Sequence, residues 1–291
     1  MSKGAVHFAC VACGRCCNSP PQMDVEEALR LYDSFPLAVQ ISVFPVGDDY
    51  RAVKDADRRK VVQQVRDTAV DLGGLQITRP TGKKWVVVLC ANALDPAEEP
   101  CPALADDGKC RIHQRRPVMC RAVPFNHEID PRLSIRLHRQ QYRHDCDWSS
   151  TAPVVMRDGQ IVDAGYAQAY AATRDNQRRD SELLHLLWDN ERHARYDSKA
   201  IGDLIEVALC HDPHEERAPF IVLLEMMRGL ERIGKLPPRY VLPSDDDFYA
   251  AQANACIAAA KATDSEAAHD SFKATAGLYD RLLRRSQSER R

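Results

Sequence analysis

Four cysteines fall within eight residues near the start of this chain: Cys10, Cys13, Cys16 and Cys17, in the run C-V-A-C-G-R-C-C. Cys101, Cys110 and Cys120 form a second group much further along, in a stretch broken by Pro102, Gly108 and Pro117. Thiols this dense are poor core residues. Under reducing conditions they hold metal, because thiolate is a soft, strong ligand for zinc and for iron–sulfur clusters. Any fold that gathers both groups must bring two distant loops to one place. Residues 7–20 are too rich in Cys and Gly, and end too firmly at Pro20-Pro21, to form a helix; they read as a metal-wrapping loop.

Two C-x-x-C pairs overlap in the first group, Cys10 with Cys13 and Cys13 with Cys16. Such a turn lets two sulfurs converge on one metal while backbone N–H groups bond to them. Cys16 and Cys17 are adjacent, and adjacent side chains tend to point apart. They are awkward as two ligands of one tetrahedral centre, which implies two centres or one polynuclear centre with bridging thiolates. If the first four close a site, the second group needs a fourth ligand. Cys146 is the first choice and Cys90 its rival, with His113 and His127 weaker. Cys10, Cys13, Cys16, Cys17, Cys101, Cys110, Cys120 and Cys146 would then complete two four-sulfur sites. Spacing does not say which sulfur serves which metal. Cys210 and Cys256 read instead as small core residues. His127, His138 and His144 read as polar residues around a strand beside Cys146. Arg116 and Arg121 are the candidates for offsetting the negative charge of a thiolate site or for binding an anionic substrate. For Arg116, bonding to carbonyls of its own loop is the favoured role.

The remaining evidence is mostly exclusion. The chain has 291 residues, of which 44% are hydrophobic, enough for a real core. A net charge of −2 gives no global basic field, so neither nucleic acid nor an anionic membrane is expected as a partner. No apolar h-region and no run of about 18 apolar residues is found, so a cytoplasmic protein with reduced thiols is expected. The odd count of 11 cysteines argues against a disulfide framework. His211-Asp212-Pro213-His214-Glu215-Glu216 reads as a turn that starts a helix.

The expected fold is α+β. Asp24 is a helix N-cap, 57–72 is helical, and Gly73-Gly74 stops that helix. Leu75–Thr78 and Trp85–Leu89 flank Pro80-Thr81-Gly82-Lys83 as a hairpin. Leu133–Arg139 alternates and is expected as a half-buried strand. Asp158-Gly159 turns another short hairpin between Val154–Met156 and Ile161-Val162. Amphipathic helical stretches follow at 163–175, 180–196, 199–210, 215–233, 246–262 and 266–286, with Ser244 as an N-cap before three acids. The division expected is a cysteine-bound region over 1–155 and a helical half over 156–291.

Phe8, Cys10, Cys13, Gly14, Cys16 and Cys17 begin a larger pattern. It continues with Cys101, Leu104, Gly108, Cys110 and Ile112, then Arg116, Pro117, Cys120, Arg121, Pro124 and Phe125. This pattern resembles the YkgJ-like, or CxxCxxCC, cysteine-cluster family, described as zinc- or iron-chelating. The likeness covers roughly residues 7–150, and His113 departs from the aromatic residue usual at its place. It implies a metalloprotein that holds zinc or iron–sulfur clusters of the [4Fe–4S] kind, one or two of them. The pattern is also distantly similar to flagellin lysine N-methylases, which implies an alternative: a protein-modifying enzyme with a protein substrate. No glycine-rich nucleotide loop follows a strand to support that alternative. A third reading is a helical interaction protein with a protein partner and purely structural zinc.

Overall fold

The computed structural model describes residues 4–17, 21–48, 50–94, 101–143, 145–190 and 222–290. Their order is mixed. Strand β1 (Ala5–His7) leads into the cysteine loop, and β2 (Gln22–Met23) leaves it for helix α1 (Val25–Arg30). The Asp24 carboxylate accepts from the Glu27 amide as an N-cap, as expected. Then come β3 (Leu37–Pro45), α2 (Ala56–Asp71), β4 (Leu75–Thr78) and β5 (Lys84–Ala93). Strand β5 is the spine of a four-stranded antiparallel sheet and pairs with β2, β3 and β4. Its run of Val86, Val87, Val88 and Leu89 is buried on both faces, as a central strand requires. The expected β4–β5 hairpin is present, with Ile77 opposite Trp85. Gly73 ends α2 at φ +82°, where an L side chain would be strained. Strand β3 is not among the expected elements, although its Val39, Ile41 and Val43 alternate at strand period.

After the second cysteine group lie helices α3 (Val118–Ala122) and α4 (Pro131–Gln141). Helix α4 overturns the strand expected at 133–139. Asp130 caps it by accepting from the Arg132 and Leu133 amides, and Pro131 stands in its first turn. Proline loses nothing there because its missing N–H would be unpaired in any case. Leu133, Ser134 and Ile135 are buried together, which the half-buried, alternating strand expected there would not allow. A small sheet then joins β1 to β6 (Val154–Arg157) and β7 (Gln160–Ile161), with the expected hairpin between the last two.

Next comes α5 (Ala164–Asn190), one continuous helix where two were expected. It continues with α6 (Leu223–Arg232), α7 (Asp245–Ala262) and α8 (Glu266–Glu289). Ser244 caps α7 by accepting from the Asp247 amide, as its position implies. The stretches expected at 199–210 and 215–221, Cys210 and the His211–Glu216 turn lie outside the described residues.

One hydrophobic cluster runs from Phe35, Leu37 and Leu89 to Leu183, Leu184, Met227, Phe248 and Tyr279. Cys256 is fully buried on α7 as a small core residue. Gln252 is also fully buried, and its amide accepts from the Leu37 amide at 2.8 Å and donates to the Phe35 carbonyl at 2.8 Å. It thereby satisfies backbone groups at the start of β3 that the sheet does not reach. Cys101, Cys110 and Ile112 pack against this core, whereas Cys146 packs against a smaller cluster of Phe8, Phe125, Ile135, Val155 and Met156. The cysteine loops are therefore held between two hydrophobic clusters. Among the described residues, no helix is long and apolar enough to cross a membrane.

Candidate metal centre

All eight cysteines named from the sequence line one cavity of about 360 Å³. Short backbone contacts bring them together. The Ala9 amide donates to the Asp147 carbonyl at 2.9 Å, and the Asp147 amide returns the bond at 3.2 Å. This isolated bridge places Cys10 beside Cys146. The Cys13 thiol donates to the Asp145 carbonyl at 3.4 Å, and Arg15 pairs with the Asp145 carboxylate at 3.6 Å. On the other side the Cys101 amide donates to the Cys17 carbonyl at 3.0 Å. Leu104 and Cys110 form a second isolated bridge. The two loops touch at glycines: Gly14 has φ +73°, and a Cβ there would stand 2.4 Å from the Gly108 carbonyl oxygen.

The grouping in space is not the grouping in sequence. Cys16 lies within electrostatic reach of Cys10, Cys146 and Cys17, and Cys146 within reach of Cys10 and Cys13. Cys17 instead lies near Cys101 and Cys120, with Cys110 beside both of those. Cys146 thus links Cys10, Cys13 and Cys16 on one side, Cys17, Cys101, Cys110 and Cys120 gather on the other, and the Cys16–Cys17 hydrogen bond joins the two. Cys10 and Cys13 are exposed, while the other six are partly covered.

Electrostatics follow from this packing. A hydrogen bond to Cys17 and burial together raise the Cys16 thiol far above its ordinary range. The same hydrogen bond, helped by the Arg116 guanidinium, lowers Cys17 to about 6. Burial pushes Cys101 up to about 11, Cys120 to about 12 and Cys146 to about 11, with neighbouring thiols adding to each. Packed thiols without a counter-charge resist ionisation; a bound cation reverses that balance and deprotonates its thiol ligands.

Arg116 donates from Nε to the His113 carbonyl at 3.3 Å, in line with its favoured backbone role. Arg116, Arg121 and His113 all line the cavity. Cys90 does not. It lies on β5, accepts from Gln22 Nε2 at 2.6 Å, and burial lifts it to about 12. His127 is buried elsewhere against Gln177 at 3.0 Å. His144 lies outside the described residues. His138, on a helix rather than beside a strand, reaches Cys146 Sγ with Nε2 at 3.8 Å, and burial lowers it to about 4. Tyr166, from α5, lines the cavity as well; it lies outside the cysteine segment, and no local pattern marks it.

The donor set fits a thiophilic metal: eight sulfurs around one cavity, with apolar walls that include Phe8, Phe35, Met119 and Val123. Among the described residues no three His, Cys, Asp or Glu side chains already converge at the spacing of ligands on a single ion. No curated protein and no solved structure matches the chain. Residues 9–147, the segment that carries all eight cysteines, match the CxxCxxCC family, whose description reads "Putative zinc- or iron-chelating domain".

Proposed function

We propose that the chain is an iron–sulfur protein with two adjacent four-sulfur centres, one held by Cys10, Cys13, Cys16 and Cys146, the other by Cys17, Cys101, Cys110 and Cys120. The observation that carries this reading is the convergence of eight thiols, in two sets of four, on one cavity. The cavity supports a cluster over a bare ion. A zinc site closes four sulfurs around one small cation at about 2.3 Å. Here all eight sulfurs line one cavity of about 360 Å³, which has room for more than a bare ion. A pair of bound clusters would supply one-electron transfer.

The chain's own residues set the conditions for that chemistry. Phe8, Phe35, Met119 and Val123 limit water at the sulfurs and lower the local dielectric. Arg116 and Arg121 supply positive charge at the rim, which offsets the net negative charge of thiolate-bound centres. Purification without oxygen, followed by absorption and by iron, zinc and sulfide assays, tests the reading. A broad band near ~400 nm with about eight irons and eight sulfides per chain is expected. A colourless protein with about two zincs and no sulfide overturns it in favour of closed structural sites.

A further inference from the structure

Helix α4 carries a second feature on the side away from the cysteine cavity. Arg132, Arg136 and Arg139 recur along it at intervals of four and three residues, and Arg143 follows four residues later, just past the helix end. That spacing puts them on one face, rising about 6 Å and then 4.5 Å per step. All four line an open groove of about 1250 Å³, whose only carboxylate among the described residues is Asp158. A chain of net charge −2 has therefore collected four guanidinium groups around a single concavity.

Two of these arginines have structural work. Arg136 pairs with Asp57 at 2.6 Å, and Arg132 donates to the Asp158 carbonyl. Arg139 and Arg143 are exposed and make no ion pair among the described residues. Arg139 lies over the Trp148 ring, 5.6 Å from its centroid. Such surplus charge in a groove attracts a polyanion. The exposed large hydrophobic side chains among the described residues are Val11, Val162, Val241 and Ile257. None lines this groove, so nothing there would insert into a lipid surface.

We infer that this groove binds single-stranded nucleic acid, its phosphates along the arginine row. Guanidinium groups make bidentate bonds to phosphate oxygens. Trp148 and His7 also line the groove; once Arg139 swings from the Trp148 face to a phosphate, that face is free for an unpaired base to stack on. The groove stands back to back with the cysteine cavity. Trp148 lines the groove and packs at 4.8 Å on Phe8, which lines the cavity.

Fluorescence anisotropy of a labelled RNA of about twelve nucleotides, with the metal-loaded full chain, tests this. Affinity should fall with salt at a log–log slope near −3, since each phosphate contact on a single strand contributes about −0.7. Replacing Arg139 and Arg143 together by Gln should weaken binding about tenfold and flatten the slope by about 1.4, with metal content unchanged. Absence of binding at low salt overturns the inference. So does equal binding by the double variant. Preferential binding of a duplex of the same length, or of vesicles rich in anionic lipid, with the same arginine dependence, overturns it as well.

Discussion

Cys16 and Cys17 are consecutive in the chain and hydrogen-bonded to each other, yet each stands among a different set of thiols. Cys16 keeps Cys10 and Cys146 nearby, and Cys17 keeps Cys101 and Cys120. The pair therefore stands where the two neighbourhoods meet. The Ala9–Asp147 bridge and the bond from the Cys101 amide to the Cys17 carbonyl fix the two sides.

The two proposed centres differ in exposure, so they should differ in lability. Cys10 and Cys13 are exposed, whereas Cys17, Cys101, Cys110 and Cys120 are all partly covered, with Cys101 and Cys110 packed on the main core. Metal release to an excess of chelator should be biphasic with comparable amplitudes. Cys13→Ser should abolish the fast phase and leave the slow one. A single phase in the wild-type protein contradicts this.

Gly14→Ala should remove metal binding as effectively as losing a cysteine. The residue sits at φ +73°, and a Cβ would meet the Gly108 carbonyl oxygen at 2.4 Å. Positive φ alone costs an alanine about 1–3 kcal/mol. The clash with backbone adds to this, because neither loop can yield without moving its cysteines. Metal per chain in the purified variant is the readout, and a full complement refutes the loop-contact argument.

Glu27 gives the protein an acid-favouring term. Its carboxylate is buried and accepts from the Val118 amide at 2.8 Å, at the start of the helix that carries Cys120. Burial, with the Asp24 carboxylate nearby, raises it from 4.5 to about 7. The folded state thus binds the proton more tightly than the unfolded chain does. The resulting stability is full below about pH 4.5 and is lost as pH rises through about 7, a change of about 3 kcal/mol. Glu27→Gln keeps an oxygen acceptor for Val118. Relative to wild type, the variant should gain about 2–3 kcal/mol between pH 5 and pH 8 in urea unfolding. A difference independent of pH would show that Glu27 does not titrate in this range.

The cysteine pattern made the metal region legible, and local rules gave much of the scaffold. Asp24, Ser244 and Gly73 mark helix ends because capping acts within one turn. Pro80–Lys83 marks a hairpin for the same local reason. Helix α4 was misread because Leu133, Ile135 and Leu137 alternate like a strand. The stronger signal lay just upstream in Asp130-Pro131, an N-cap with proline in the first turn. Strand β3 was missed between its loops despite the alternation of Val39, Ile41 and Val43. The membership of each sulfur set was not legible at all. It depends on a two-residue bridge between Ala9 and Asp147, a contact spanning almost the whole cysteine segment, and nothing local encodes it.

The central claim is that two centres share the cavity and divide at Cys16 and Cys17. The most direct measurement is metal and sulfide per chain in wild type, Cys16→Ser and Cys17→Ser, each purified without oxygen and checked for folding by circular dichroism. The account predicts that each variant keeps about half of the wild-type content, as two Cys₄ centres would require. It further predicts that chelation kinetics show the slow phase surviving in Cys16→Ser and the fast phase in Cys17→Ser. Folded variants that both lose all metal, or both keep all of it, would contradict the division.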